Sequence, residues 1–209
     1  MRRRKVIPTR FVVGSQTSTA SPRGGIAVLW VILAVPAILT LFLLVLDVAN
    51  LWLARIELRN ALDAAALSGA KTWGEGGTTN NARTDAQTTA ALNTVIGNTV
   101  TLSLNENAGA TNGNSASTGD IILGTITVSG GVQTFNWCGT PDCPTGAAMY
   151  AVRTSATVSV ESLFDSWFGT SFGPFDITSS SYAQYACSAT GPPQLVKVDT
   201  LTLTPNPCP

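Results

Sequence analysis

The most regular feature of the chain is an uncharged apolar run, IAVLWVILAVPAILTLFLLVL, which begins with Ile26 and ends with Leu46. About 20 apolar residues, at a rise of 1.5 Å each, match the hydrocarbon thickness of a bilayer. Thr40 is the one polar residue in the run, and its hydroxyl can bond to a carbonyl of its own helix. Pro36 lies near the middle and predicts a modest kink. The run therefore predicts a transmembrane helix over residues 26–46.

The charges on the two sides of this run differ in sign. Six of the twelve Lys and Arg residues precede it, whereas all twelve Asp and Glu residues follow it, beginning with Asp47. Because short flanks rich in Lys and Arg stay in the cytoplasm, we expect a single-pass protein of the plasma (inner) membrane. Its N-terminus would be cytoplasmic and its C-terminal portion exported. The basic tail is expected to meet anionic membrane lipid rather than nucleic acid.

Two other interpretations of the apolar run compete with a membrane anchor. A cleaved secretory signal has an apolar core of roughly 7–15 residues followed by a small-residue cleavage site. This run is longer, and the sequence after it, DVANLW, offers no convincing site. A buried helix of a soluble protein rarely remains apolar on every face over such a length. A retained anchor is therefore favoured.

The helical pattern continues beyond the run, because residues 47–70 contain no Pro and their single Gly lies near the end. One face carries an apolar stripe at helical spacing: Leu51, Leu58, Leu62 and Ala65. Another face carries charges every four residues: Arg55, Arg59 and Asp63. The pattern divides the chain into a basic tail (1–25), the span (26–46), a helical extension (47–72) and an exported domain (73–209).

Signals typical of β-structure dominate after residue 99. Alternation at Val100, Leu102 and Leu104 predicts one strand, and residues 105–118 have the composition of a loop. Residues 120–129 and 132–137 predict a hairpin, residues 149–160 and 175–186 two long strands, and residues 195–203 a last strand. Short helices are expected at residues 81–96 and 161–169. The fold class is thus α+β, with a long N-terminal helix and a mostly antiparallel sheet.

Four cysteines, Cys138, Cys143, Cys187 and Cys208, all lie on the side of the chain that is expected to be exported. An even number in an oxidising compartment suggests two disulfides, with three possible pairings. The short spacing of the first two favours a local bridge between them, which leaves Cys187 with Cys208. A zinc site is disfavoured because the chain has no His and no second close pair of cysteines.

Three blocks of the sequence resemble the TadE/TadG-like family of the tight-adherence (Flp pilus) machinery. The most specific block is RGGIAVLWVILAVPAILTLFLLVLDVANLWLARIELRNALDAAALSGA, residues 23–70. It combines a basic residue and Gly directly before the apolar span, Pro within the span, Asp directly after it and then a helical extension. Looser matches are GDIILGTITVSGGVQTFNW, residues 119–137, and the strand, aromatic helix and strand of residues 151–186.

The resemblance implies a bitopic, pilin-like accessory protein that helps to assemble or anchor a thin adhesive pilus. Pilins and TadE-type pseudopilins carry a Glu shortly after a Gly-ended leader. With Gly25 as the end of a leader, the fifth following residue is Trp30, and no acidic residue precedes Asp47. The resemblance is therefore closer to TadG-like proteins, in which the span remains as an uncut anchor.

Candidate catalytic chemistry is absent from the sequence. Without His the chain lacks the commonest general base near neutral pH, and its Asp and Glu residues are scattered singly. The glycines of GEGGTTNN are not followed by the Lys-Ser/Thr step of a phosphate-binding loop. We therefore expect no enzyme activity, no cofactor and no small-molecule substrate.

The expected function is lateral packing with pilus assembly components and other pilin-like subunits, through small residues on the span and its extension. The candidate partner-docking residues are Asp47, Ala54, Arg55, Arg59, Ala61 and Ala65. A simple solvated surface is the alternative for the charged members of this set and for Glu57. A second hypothesis is a tethered extracytoplasmic module that binds carbohydrate or another cell and has no part in pilus assembly.

Overall fold

The computed structural model describes residues 24–104, 119–137, 149–164, 169, 173–185 and 192–202. The chain divides into two compact units, Met1–Phe42 and Leu43–Pro209. The four cysteines, the 105–118 loop and most of the predicted 161–169 helix lie outside the described residues. The disulfide assignments consequently remain predictions.

The first helix, α1, covers Gly24–Gly74. The sequence pattern predicted a continuous helix over residues 26–70, and the structure confirms it with one further turn. Within the apolar run the Thr40 hydroxyl donates to the carbonyl of Pro36 at 2.8 Å, as expected for a polar side chain in this position. The helix ends at a glycine-rich loop in which Gly76 has a φ of 90°, a conformation that suits glycine.

Apolar side chains are exposed on every side of the N-terminal part of α1. The large hydrophobic residues from Val28 to Phe42 that the structure describes all expose about half or more of their surface. Among the described residues this is the one helix long and apolar enough to cross a membrane. This part of α1 belongs to neither core of the described residues.

A second helix and a small hairpin follow. Helix α2 covers Thr79–Ala91 and begins at Thr78, whose hydroxyl accepts a hydrogen bond from the Asn81 backbone N–H at 3.2 Å. Strands β1 (Thr94–Val95) and β2 (Asn98–Thr99) then form a tight hairpin. The predicted helix over residues 81–96 was too long, because Ile96 and Gly97 adopt the positive φ values of a two-residue turn.

The main sheet has six strands among the described residues, in the order β7-β6-β5-β3-β4-β8. They are β3 (Ile121–Ser129), β4 (Val132–Trp137), β5 (Met149–Val160), β6 (Phe175–Tyr185), β7 (Gln194–Leu195) and β8 (Thr200–Thr202). All neighbouring pairs are antiparallel except β4 with β8. The predicted α+β class with a mostly antiparallel sheet is confirmed, and the predicted limits of β4 and β5 agree with the structure.

The predicted strand beginning near residue 100 does not join the sheet. Val100 and Leu102 are buried and Thr101 and Ser103 exposed, so the alternation correctly identified the buried side. However, the Ser103 backbone N–H donates to the carboxylate of Asp120 instead of a neighbouring strand. Residues 100–104 are therefore extended chain that covers the core without a described strand pairing.

The larger core lies between α1 and one face of the sheet. It combines Leu58, Leu62 and Trp73 of α1 with alanines of α2 and with Leu123 and Val152 of the sheet. Two side-chain hydrogen bonds connect the layers. The buried Thr154 hydroxyl donates to the Leu62 carbonyl at 2.9 Å, and the Ser181 hydroxyl donates to the Asp63 carboxylate.

A smaller core covers the opposite face of the sheet, around Ile122, Ile126, Phe135 and Ala151. The chain between β7 and β8 lies over it, with Val196 and Val198 packed against these residues. The single strand predicted for residues 195–203 is thus wrong. It is replaced by two short strands on opposite edges of the sheet, because the intervening residues cross the apolar face instead of pairing along it.

Substitution of Ala61 by Leu tests the close packing of α1 on the sheet. Ala61 has no exposed surface, so added methylenes must displace core side chains. We expect a loss of about 1–3 kcal/mol in the free energy of unfolding. Asn60→Leu, on the exposed side of the same turn, is the control and is expected to change stability by less than about 0.5 kcal/mol. Thermal unfolding of the full chain in detergent, followed by circular dichroism, measures both, and equal midpoints would contradict the packing.

Candidate functional site on the first helix

The three alanines of the predicted docking set face the interior of the protein. Ala54, Ala61 and Ala65 are all fully buried in the larger core. Their small size allows the helix to approach the chain's own sheet, so they form no accessible docking surface in this structure. The expectation that they contact another subunit stays a prediction.

The arginines of the predicted set lie on the outside. Arg55 and Arg59 are exposed, and the Arg59 Nε lies 4.0 Å from the Asp63 Oδ2 atom, with 74% of the arginine side chain accessible. Such surface ion pairs contribute between zero and about 1 kcal/mol. These two side chains are therefore available for a partner without a large loss of intramolecular stabilisation.

Glu57, which the sequence grouped with the arginines as a solvated face, has a structural role instead. Its Oε2 atom accepts a hydrogen bond from the Ile96 backbone N–H at 2.8 Å. Ile96 has a φ of 49°, which is unfavourable for a β-branched residue. The carboxylate thus holds the β1–β2 turn against α1, across 39 residues of sequence.

Asp47, the first acidic residue of the chain, accepts hydrogen bonds from the start of the segment after β5. The Ser162 hydroxyl donates at 2.6 Å, and the backbone N–H groups of Leu163 and Phe164 donate at 2.7 Å and 3.4 Å. This is the pattern of a carboxylate that caps a helical turn. The sequence suggested either a partner's helix or plain water as the neighbour of Asp47, and the structure gives a turn of the same chain.

An exposed apolar patch lies on α1 directly after the apolar run. It consists of Val48, Trp52, Leu53 and Ile56, which are 44–69% exposed. Sequence analysis missed it, although the spacing of Val48, Trp52 and Ile56 by four residues was visible. The patch belongs to the same unit as the sheet, yet these side chains contribute to neither core.

The described residues contain no group of three or more His, Cys, Asp or Glu side chains that could hold a metal ion. The polar contacts of Asp47 and Glu57 are with backbone N–H or hydroxyl groups of the fold.

Substitution of Asp47 by Ala removes the acceptor of three hydrogen bonds around residues 162–164. We expect a loss of about 1 kcal/mol at this turn. Hydrogen exchange of the Leu163 amide in the full chain should therefore become about fivefold faster, since tenfold corresponds to 1.4 kcal/mol. Glu161→Ala removes a neighbouring exposed charge and serves as the control, with little change expected. An unaltered Leu163 exchange rate in the Asp47 variant would show that the cap does not stabilise this turn.

Comparison with known proteins gives one family match. Residues 24–72 match the model of the family described as "Putative Flp pilus-assembly TadE/G-like". Comparisons with curated proteins and with solved structures gave no match. The matched residues cover the apolar run, Asp47, the exposed patch and the alanines that pack on the sheet. The TadE/TadG-like resemblance seen in the sequence is therefore confirmed for residues 24–72, the segment that forms nearly all of α1.

Proposed function

We propose that this protein is a membrane-anchored, pilin-like accessory component in the assembly or anchoring of a tight-adherence (Flp-type) pilus. Its role is to pack against other subunits and not to catalyse a reaction. The observation that carries the proposal is α1 itself. One helix, matched by the pilus-assembly family over residues 24–72, begins with an apolar stretch exposed on all sides and ends as the central helix of a folded unit.

The first part of α1 serves as the anchor in this proposal. Exposed Val, Leu, Ile and Phe side chains around the whole helix are stable in lipid and unfavourable in water. The Thr40 bond to the Pro36 carbonyl removes the one polar side chain of the run from contact with hydrocarbon. The six basic residues before the run orient the N-terminus to the cytoplasm and the sheet-containing unit outside.

Lateral association uses the exposed apolar patch in this proposal, since the alanines are occupied by the chain's own sheet. Val48, Trp52, Leu53 and Ile56 follow the anchor and are partly accessible. Similar helices of pilin-like subunits, anchored in the same membrane, are the natural partners for such a patch. Trp52 would lie near the outer interface, where aromatic side chains are favoured.

The topology is tested by fusing alkaline phosphatase after residue 77, in the loop that follows α1. We expect an active fusion and retention in the membrane after carbonate extraction. Replacement of Arg2, Arg3, Arg4 and Lys5 by Glu should lower phosphatase activity, because the positive bias that fixes the orientation is lost. Lys71→Glu, far from the run, is the control and should have no effect. An inactive fusion in the native sequence would refute the proposed orientation.

The packing surface is tested by a Leu53→Ser and Ile56→Ser double variant. We expect co-purification of pilus components from solubilised membranes to fall about thirtyfold, since burial of each of the two apolar side chains in a contact contributes about 1 kcal/mol. Membrane insertion and thermal unfolding should remain unchanged, because neither residue belongs to a core.

Leu92→Ser is the matched control for this variant. Leu92 follows α2 and is 81% exposed, so its loss removes a similar apolar side chain from a different surface. Equal co-purification by the double variant and the native protein would reject the patch as the packing surface. Absence of pilus components from both preparations would favour the tethered binding module.

A further inference from the structure

A continuous groove lies between α1 and the outer part of β6. Three cavities of about 380, 410 and 370 Å³ follow each other along it. The first and second share Arg55 and Thr178, and the second and third share Arg59 and Ser180. We call the surface formed by residues 51–63 of α1 and residues 175–182 of β6 the β6 groove.

On the side away from β5, the backbone of β6 has no strand partner at residues 176–180 among the described residues. Strand β7 pairs with Ala183 and Gln184, and the Val196 N–H donates to the Tyr182 carbonyl at 3.0 Å. Because both backbone groups of a residue in an antiparallel strand point to the same side, the outward direction at Tyr182 repeats at every second residue. The N–H and C=O groups of Asp176, Thr178 and Ser180 therefore point away from β5, and all three residues are exposed.

Residues 176–182 of β6 lack two of the residue types that commonly prevent strand addition. Natural edge strands are commonly protected by Lys or Pro residues or by a covering element. Residues 176–182 of β6, DITSSSY, contain no Lys and no Pro, and their side chains facing the groove are mostly small hydroxyls. An added strand could thus approach the backbone closely.

The groove carries an excess of positive charge. The exposed Arg55 and Arg59 line the central cavity, and no acidic residue of the described part of the chain contributes to it. Lys197 lies at one end of the groove. The acidic residues of the flanking cavities are Asp176 and Asp63, and Asp63 is already bonded by the Ser181 hydroxyl and lies beside Arg59. The net charge favours an acidic occupant.

The end of the groove formed by residues 51–55 and 175–178 is apolar. Leu51, Trp52 and Phe175 line the cavity there, with Trp52 69% exposed. A strand that places a large apolar side chain at this end and carboxylates over the arginines would match the groove along its length. Residues 175–182 correspond to about 25 Å of strand, enough for seven or eight residues of a partner.

We propose that the β6 groove binds an extended acidic segment of another protein, which adds to the sheet as a further strand. Main-chain hydrogen bonds to Asp176, Thr178 and Ser180 would supply affinity, and the arginines would select the acidic segment. A second copy of this chain is a poor occupant, because edge-to-edge pairing would bring two cationic grooves together. The inference goes beyond the proposed function and does not depend on it.

The test uses the full chain in detergent and two fluorescein-labelled nine-residue peptides. In one peptide valine alternates with glutamate, and in the other lysine replaces each glutamate. Fluorescence anisotropy should show binding of the glutamate peptide and at least tenfold weaker binding of the lysine peptide. Binding should weaken as salt is added, because exposed charges are screened.

Two variants separate the strand contact from the charge contact. Thr178→Pro removes an outward N–H without removing a bond to β5 and should abolish binding, whereas Thr178→Ala, the matched control, should retain it. Arg55→Glu combined with Arg59→Glu should weaken glutamate-peptide binding about tenfold or more. If Thr178→Pro lowers the thermal unfolding midpoint markedly, its loss of binding could reflect unfolding. The proposal is then tested by the arginine variant and the lysine peptide.

Three results would overturn the proposal. One is equal binding of the two peptides. Another is full binding by a folded Thr178→Pro variant, since the backbone edge would then be irrelevant. The third is failure of the glutamate peptide to bind while the sulfated polysaccharide heparin binds through the arginines, which would identify a polyanion surface without strand addition.

Discussion

The close packing of the alanine face of α1 on the sheet is the contact from which the rest of the structure follows. Ala54, Ala61 and Ala65 have no exposed surface and belong to the core that α1 shares with the sheet. In this packing the Thr154 hydroxyl reaches the Leu62 carbonyl at 2.9 Å. Larger side chains on this face would move the helix away and break that bond. The same packing determines which sides of α1 remain available for other contacts.

Because the position of α1 is fixed by this packing, two carboxylates on it accept hydrogen bonds from distant parts of the chain. Asp47 caps the turn at residues 162–164, and Glu57 holds the N–H of Ile96 in its positive-φ turn. Backbone N–H groups at such turns have no partner in a strand ladder, and leaving them without an acceptor costs free energy. Glu57 reaches its target because α1 continues as a helix beyond the apolar run. The charged residues along α1 are thus divided between structural contacts and free surface.

The sequence predicted those elements whose pattern is local. The continuous helix, the β3–β4 hairpin with its Gly130-Gly131 turn, and strand β5 follow from residue spacing within a few turns or a single strand. The short strands after residue 192 could not be predicted in this way, because their pairing depends on which edge the chain meets after crossing the sheet. Arg153 shows the same limit. The alternation of its strand does not show whether the second face is covered, and Arg153 is 94% buried because that face of the sheet is covered from elsewhere in the chain.

The candidate site was predicted less well than the fold, because helical spacing identifies faces but not their neighbours. An alanine stripe is equally typical of a contact with another chain and of a contact with the chain's own sheet, and only the tertiary structure decides between them.

Once the sheet occupies that stripe, two surfaces of α1 remain among the described residues: the apolar patch and the cationic β6 groove. Trp52 belongs to both. They differ in physical character. Contacts through the apolar patch are insensitive to moderate salt. Charge contacts in the groove are weakened by salt, because the Debye length is about 8 Å at physiological ionic strength. A partner that used both surfaces would therefore be held by two contacts on one rigid helix, and the second would form at high effective concentration once the first had formed.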